Sequence, residues 1–258
     1  MANPGTTSRY NSVQASVNRR LTRNVQGQVA YTFSRCIDDG SSPLGSISGG
    51  NTSSNYVNPY LRDPIDKGLC YFNTTSTLRI NALVSLPFKG NAFVEGWQIS
   101  GLVTQNTGLP FSPYVGADTI GWGASSSPRP NYVAGCQVQV GTPTKWFNPA
   151  CYSLPAAGTL GNAGRNTIIG PGLAQVDIAF FKDTKVKKIS EAFRMQLRAE
   201  AFNLFNHPQF GLPGNSMFSA GASTSAPNGA PNASAGVITT LAGNTAARQL
   251  QFGLKLIF

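Results

Sequence analysis

The C-terminal stretch, Arg248 to Phe258, alternates between apolar and polar residues and constrains the fold more than any other part of the chain. Its apolar phase consists of Leu250, Phe252, Leu254, Leu256 and Phe258, and Ile257 is the single exception. Successive side chains of a β-strand point to opposite faces, so this pattern predicts a strand with one apolar and one polar face. Its length is that of a tilted strand that crosses an outer membrane. The stretch therefore favours the wall of a membrane β-barrel.

Six further segments show the same two-residue alternation. They are Tyr10–Arg20, Val25–Arg35, Thr77–Phe88, Trp97–Gly108, Leu173–Phe181 and Ala192–Asn206. Short polar turns alternate along the chain with long connections rich in Gly, Ser, Asn and Pro. Outer-membrane barrels show this order because periplasmic turns are short and extracellular loops are long. The sequence therefore predicts an all-β, antiparallel meander of about seven transmembrane strands, forming a curved, incomplete outer-membrane β-barrel wall with long extracellular loops.

Charged residues inside the predicted strands occupy the polar phase. They are Arg79, Asp177, Arg194, Arg198, Glu200 and Lys255. A charge on the lipid face of a barrel costs about 2–4 kcal/mol at the bilayer midplane, which explains this distribution. We therefore expect the first five of these residues to face the lumen. A soluble β-sandwich also keeps charge off its core face, but it has no reason to sort its loops by length.

The alternation also predicts which residues share a face. One continuous outer face should contain Val29, Ile80, Ile99, Ile178, Leu197 and Leu254. Aromatic residues at strand ends beside short turns should form one belt at the periplasmic interface. These are Trp97, Phe180, Phe193 and Phe258. We place the turn between the fifth and sixth strands at Lys182–Lys188, which predicts that Asp177 and Arg198 approach each other across that hairpin.

The composition is poor in charge but basic overall. Charged residues make up 12% of the 258 residues, and the formal net charge is +10. The lysines and arginines are scattered apart from short clusters at Arg19–Arg20 and Lys182–Lys188, and no nucleic-acid-binding motif is present. We therefore expect no nucleic-acid partner; the opposite reading, a soluble basic β-protein that binds nucleic acid, predicts a salt-dependent affinity. No stretch approaches the roughly 18 consecutive apolar residues of a membrane helix.

The four cysteines are Cys36, Cys70, Cys136 and Cys151, all in sequence typical of loops. None forms a C-x-x-C pair, and the only histidine is far from them in the sequence, which argues against a zinc site. An even number in an oxidising compartment favours disulfides. We predict the bridges Cys36–Cys70 and Cys136–Cys151, because each pair brackets a single long connection.

The remaining polar motifs indicate no chemistry. The stretch GNAGRNTIIGPG lacks the phosphate-binding pattern, and no serine lies in a nucleophile-elbow motif. The single histidine, His207, stands between Asn206 and a proline, which predicts a turn. The aspartates at positions 38, 39, 63 and 66 lack the spacing of a calcium loop, so we interpret them as solvated loop charges. We expect no catalytic residue, no metal site and no cofactor.

Two stretches of this chain are especially distinctive, RMQLRAEAFNLFNHPQFGLP and the terminal RQLQFGLKLIF. With YNSVQASVNRRLTRNVQGQVAYTFSRCIDDGS, GWQISGLVTQNTGLPFSP, RPNYV and WFNPACYSLPAAGTLGNAGRNTIIGPGL, they span nearly the whole chain from Tyr10 to Phe258. Together they resemble the barrel of TonB-dependent outer-membrane transporters, especially the Oar-like group with a carboxypeptidase-regulatory-like N-terminal domain. The resemblance covers the C-terminal part of such a barrel. No signal peptide, plug or TonB-contacting segment is visible, so we expect residues 1–258 to be the C-terminal segment of the barrel domain, without the plug and the N-terminal strands.

The resemblance implies a function and a set of partners. The intact protein would capture a small-molecule or oligomeric ligand with its outer loops and lumen, and the TonB complex would drive passage by pulling on the plug. The wall would serve as a scaffold and polar lumen in contact with outer-membrane lipid. The apolar phase of the terminal strand would be the signal for the barrel-assembly machinery. The alternative is an outer-membrane structural or adhesion protein that transports nothing.

Overall fold

The structure, a computed structural model, describes residues 7–22, 24–39, 66–121, 128–186, 190, 192–220, 228–243 and 245–258. Seven long strands run through this part of the chain. They are β1 (Ser8–Thr22), β2 (Val25–Asp38), β3 (Ser76–Ser85), β4 (Trp97–Asn106), β5 (Leu173–Lys185), β6 (Arg194–Phe202) and β7 (Gln249–Ile257). Each coincides with a segment of predicted apolar–polar alternation.

The seven strands form one sheet in which spatial order follows chain order and every neighbouring pair is antiparallel. A two-residue strand, Gly68–Leu69, pairs with the end of β2. Within the described residues β1 and β7 do not pair, so the sheet is open. The predicted all-β antiparallel meander is therefore confirmed. No helix in this part of the chain is long and apolar enough to cross a membrane.

The register places the predicted apolar residues on one face of the sheet. Directly paired residues of antiparallel strands point to the same side. Val29 pairs with Ile80, and Leu197 pairs with Leu254. The intervening pairs are Val84 with Ile99, Ile99 with Phe180, Ile178 with Gly101 and Ala201, and Phe180 with Ala199. All six residues predicted for the outer face thus lie on one continuous apolar face.

Cations on the apolar face lie close to strand ends. Arg9 and Arg19 are near the ends of β1, Arg35 is near the end of β2, and Lys182 is near the end of β5. This distribution leaves the middle of the face free of charge, as a lipid-facing wall requires.

The end of β5 differs from the prediction because Lys182 is not a turn residue. The strand continues to Lys185, and Lys182 pairs with Trp97 on the apolar face. Its amine lies 5.9 Å from the centroid of the Trp97 ring and donates to the carbonyl oxygens of Ala92, at 2.7 Å, and Glu95. The carbonyls satisfy the charge while the aliphatic stem packs on the face. Of the residues predicted for the turn at Lys182–Lys188, those from Lys182 to Lys185 therefore belong to the strand.

The apolar core lies in the long connections and not in the wall. We call the described residues 39, 66–75, 107–172 and 203–248, with the gaps given above, the loop layer. Its buried cluster consists of Phe111, Val115, Phe147, Cys151, Tyr152, Ala163, Ile168, Met217 and Phe218. Short strand pairs support it: Pro110–Phe111 with Ile168–Ile169, Asn131–Tyr132 with Tyr152–Ser153, Gln139–Thr142 with Lys145–Phe147, and Phe218–Ala220 with Ala230–Pro231. The described parts of the long connections are therefore folded, although their composition predicted irregular loops.

Candidate functional site

The polar face of the sheet carries all five residues predicted to face the lumen. Arg79 pairs with Ala30 and Thr104, and Asp177 pairs with Leu102. On β6, Arg194 pairs with Lys185, Arg198 with Phe181, and Glu200 with Ala179. These pairings put the five side chains on the side opposite the apolar face. Three of the five follow one another along β6, whereas Arg79 is separated from Asp177 by strand β4.

The predicted approach of Asp177 to Arg198 is wrong. The register places Phe181 opposite Arg198, which leaves Asp177 four residues, or about 13 Å, further along β5. Asp177 instead accepts from the backbone N–H of Asn203 at 2.8 Å and from Gln175 Nε2 at 2.9 Å. The error has the same origin as the misplaced turn, because the extension of β5 shifts the centre of the hairpin.

A cavity of about 440 Å³ opens on the polar face near the middle of the sheet. Its lining is Gln26, Asn81, Ala82, Leu83, Gln98, Ser100, Phe181, Gln196 and Arg198. The Nε of Arg198 donates to Gln196 Oε1 at 2.7 Å, and its guanidinium lies 5.3 Å from the centroid of the Phe181 ring. Amide, hydroxyl and guanidinium groups therefore converge there, which suits a polar ligand.

The four predicted belt aromatics do not form a single row. They share the apolar face, and the rings of Phe193 and Phe258 are 5.1 Å apart. Trp97 and Phe180 lie in neighbouring rows. Phe193, however, lies opposite Val186, which is six positions, or about 20 Å, from Phe180 along the chain. The single belt is wrong because β5 extends past Phe180, which therefore lies inside the strand and not at its end.

Two buried ion pairs stabilise the loop layer, and one of them joins it to the end of β2. Arg165 pairs with Asp38, and Arg129 pairs with Asp66. All four side chains are buried, with exposures of 1–6%. The interpretation of Asp38 and Asp66 as solvated loop charges is therefore wrong: the folded connections remove both carboxylates from water and supply a guanidinium to each. Asp39 accepts from the backbone N–H of residue 7 at 2.7 Å, and position 63 lies outside the described residues.

Arg165 joins three separate segments. Its Nε donates to the carbonyl of Asp66 at 2.7 Å, and one terminal nitrogen donates to the carbonyl of Asp38 at 2.5 Å. The side chain of the next residue, Asn166, donates to the carbonyl of Leu69 at 2.6 Å. Gly68 has no space for a Cβ, because the backbone of Arg165 lies against it. The segment GNAGRNTIIGPG thus acts as a clamp on the first long connection.

Both predicted disulfides are present. Cys36–Cys70 and Cys136–Cys151 each have a Cα–Cα distance of 5.4 Å. The first closes the connection between β2 and β3, and the second closes a segment of the connection between β4 and β5. Asp38 lies close to the first bridge, but the two sulfurs are bonded to each other and Asp38 accepts from Arg165.

The stretch after β6 forms a turn built on two asparagines. Asn203 and Asn206 have φ values of 51° and 52°, in the left-handed region that asparagine tolerates. The side chain of Asn203 accepts from the N–H of His207 at 2.9 Å and donates to the carbonyl of Ala246 at 3.1 Å. The side-chain amide of Gln209 pairs with the backbone of Ala174 as a neighbouring strand would. It accepts from the N–H of Ala174 and donates to the carbonyl of the same residue. The turn predicted at His207 is confirmed.

The buried arginines and the polar residues around them could not be predicted from the sequence. Their partners are 63 and 127 positions away, so no local pattern reveals them. One available signal is that Arg165 lies among glycine, alanine, asparagine and isoleucine residues in a stretch without other charges, since an isolated charge among small and apolar residues favours a buried pair.

A family model described as outer membrane beta barrel domain matches residues 1–251 of the chain. No curated protein and no solved structure matches it. The match agrees with an antiparallel meander that has one apolar face and one polar face, and it places the chain in the outer membrane with lipid against the apolar face. The chain therefore belongs to the outer membrane β-barrel domain family.

Proposed function

We propose that the chain forms part of the barrel of a TonB-dependent receptor that takes up a nutrient across the outer membrane. The wall acts as a scaffold with a polar lumen and performs no catalysis. The polar face, with Arg79, Asp177, Arg194, Arg198 and Glu200, lines that lumen. The cavity on this face carries the proposal, because neither lipid contact nor a purely structural wall requires converging amide, hydroxyl and guanidinium groups.

The loop layer supports ligand capture at the outer surface. Its apolar cluster, two disulfides and two buried ion pairs fix the described parts of the long connections in one arrangement. A preorganised binding surface loses less conformational entropy when a ligand binds than flexible loops would lose. This favours specific recognition over the loose surface contact of an adhesin.

The terminal strand serves assembly in this proposal. Leu250, Phe252, Leu254, Leu256 and Phe258 share the apolar face and are between 47% and 86% exposed. The barrel-assembly machinery would bind this strand before the surrounding lipid covers it. A second depression, of about 480 Å³, lies among Trp97, Phe180, Leu197, Phe252 and Leu254, and we assign it to lipid contact because its lining is largely apolar.

The test is energised uptake by cells that carry the intact gene. The gene would be deleted and restored in the natural host, and uptake would be measured for a panel of labelled oligosaccharides, peptides and metal chelates. We expect uptake of at least one of these solutes to depend on the gene and to stop when TonB is deleted or a protonophore is added. Sequencing the surrounding reading frame for a plug and a TonB-contacting segment is the companion test.

Adhesion is the outcome that would contradict transport. If deletion leaves the uptake of every solute unchanged but reduces attachment to surfaces, the structural or adhesion alternative is correct. A variant with serine in place of Cys136 and Cys151 is the control for the contribution of the loop layer, because it perturbs that layer and leaves the polar face intact.

A further inference from the structure

Four cations lie together on the polar face at the end where β5 and β6 are joined. Lys185 pairs with Arg194, which brings their Cβ atoms to about 5 Å from each other. Lys255 and Arg198 occupy the next two rows of the same face. Lys185, Arg194 and Lys255 are exposed, and Arg198 is half-buried. We call these four residues the cationic end.

The described residues supply little opposing charge. Asp183 is the one carboxylate in these rows of the described sheet, and it accepts from Gln196 Nε2 at 2.9 Å. None of the four cations forms an ion pair with another described residue. Four cations and one carboxylate leave a local charge of +3. Because like charges directly opposite each other destabilise a sheet, this arrangement costs stability until an anion binds.

Arg198 is already oriented for such an anion. Its Nε is held by Gln196 at 2.7 Å and its guanidinium is packed on Phe181, so little side-chain entropy remains to be lost on binding. A guanidinium fork matches the two oxygens of a carboxylate or phosphate. Arg198 also lines the cavity of about 440 Å³, which connects the cationic end to the amides of Asn81 and Gln98.

We propose that the cationic end is a binding subsite for a solute that carries several carboxylate or phosphate groups. This inference rests on the proposed function and names its substrate class. The charged groups of the solute contact Lys185, Arg194, Arg198 and Lys255, and its uncharged part contacts the amides of the cavity. A lipid headgroup offers the same phosphate chemistry, but the cluster lies on the face opposite the apolar one.

Binding to outer-membrane vesicles tests the proposal without requiring transport. Vesicles from cells with the native gene would be titrated with fluorescent trigalacturonate, which is anionic, and with maltotriose, which is a neutral trisaccharide. We expect saturable binding of trigalacturonate that weakens as salt is added, and weaker binding of maltotriose. The combined substitutions Lys185→Gln, Arg194→Gln and Lys255→Gln should lower the trigalacturonate affinity at least about tenfold.

A control variant removes the same charge elsewhere. Arg9, Arg35 and Lys89 are exposed and lie outside the cationic end, the cavity and the loop layer, so their combined replacement by glutamine should leave binding unchanged. Equal binding of the two sugars, or equal effects of the two triple variants, would overturn the proposal. Binding of short-chain phosphatidylglycerol without binding of trigalacturonate would also overturn it, because the ligand would then be a lipid headgroup. Charge-dependent binding without TonB-dependent uptake would contradict the proposed transport and leave the subsite standing.

Discussion

Arg165 and Asp38 are 127 positions apart in the sequence, yet they form a buried ion pair that joins the connection between β4 and β5 to the end of β2. The same arginine binds the carbonyl of Asp66, so the pair is part of a wider clamp. Because both partners are removed from water, neither tolerates the loss of the other. This clamp therefore fixes the loop layer to the wall beside the Cys36–Cys70 bridge.

Replacement of Arg165 by methionine should loosen the loop layer and leave the wall folded. The substitution leaves the Asp38 carboxylate buried without a cation, at a cost of about 3–5 kcal/mol. Limited proteolysis of outer membranes should cut the long connections faster, while heat-modifiable migration in gels persists. The double change Arg165→Met and Asp38→Leu should recover part of the protection, and replacement of the exposed Arg248 should have no effect.

Reduction of the two disulfides should have a similar, local effect. Cys36–Cys70 spans 34 positions and Cys136–Cys151 spans 15, so the chain-entropy model assigns them about 4 and 3 kcal/mol respectively. Hydrogen exchange after reduction should increase in the loop layer and stay slow in β2 to β6. Rapid exchange throughout the wall would show that the bridges stabilise the whole barrel.

An arginine should be tolerated on one face of β5 and rejected on the other. Ile178 lies on the apolar face in the middle of the strand, and its neighbour Ala179 lies on the polar face opposite Glu200. Ile178→Arg should destabilise the barrel by about 2–4 kcal/mol, whereas Ala179→Arg should be close to neutral. The amount of heat-modifiable protein in the outer membrane measures both, and equal losses would contradict the assignment of the faces.

Two substitutions of Asn203 should distinguish the stability lost through backbone strain from the stability lost with its side-chain hydrogen bonds. Asn203→Ala loses the contacts to His207 and Ala246 and places alanine, which tolerates the left-handed region less well than asparagine, at a φ of 51°, at a total cost of about 2–4 kcal/mol. Asn203→Gly loses the contacts but tolerates the φ value, so it should cost less. Thermal unfolding of the purified protein would rank the two variants, and the reverse order would refute this account.

Tyr152 gives the loop layer a dependence on high pH. Burial raises the pKa of its phenol from 10.0 to about 12. Because the pKa is raised in the folded state, the stabilising contribution of the neutral phenol is fully present below pH 10 and is lost as the pH rises towards 12. Absorbance at the tyrosinate band should show one late-titrating tyrosine that disappears in Tyr152→Phe, and titration of that residue near 10 would contradict its burial.

The wall could be predicted from the sequence because its information is local. The alternation around Ile80 or Leu197 shows in a few consecutive residues, so the face of each side chain could be predicted, whereas the register between β5 and β6 could not. Lys182 was misjudged because its charge suggested a turn, whereas its stem packs beside Trp97 and its amine reaches backbone carbonyls. A side chain that is apolar along most of its length and charged at its tip cannot be placed by polarity alone.

The loop layer could not be predicted because its information is long-range. Phe111, Phe147 and Ile168 lie in stretches rich in glycine and proline with no periodicity, so nothing local marks them as a core. Arg129 and Arg165 likewise acquire their partners only when separate connections meet. The cysteines were the exception, since an even number bracketing two long connections left a natural pairing.

The order of the sheet limits how a closed ring can be built. With seven strands and every neighbour antiparallel, β1 and β7 point in the same direction. A seam made directly between them would be parallel, with slanted hydrogen bonds unlike those of the other junctions. A ring in which every junction is antiparallel needs an odd number of additional strands between these two edges, whichever chain provides them. The common direction of β1 and β7 thus requires that the total number of strands in such a ring is even.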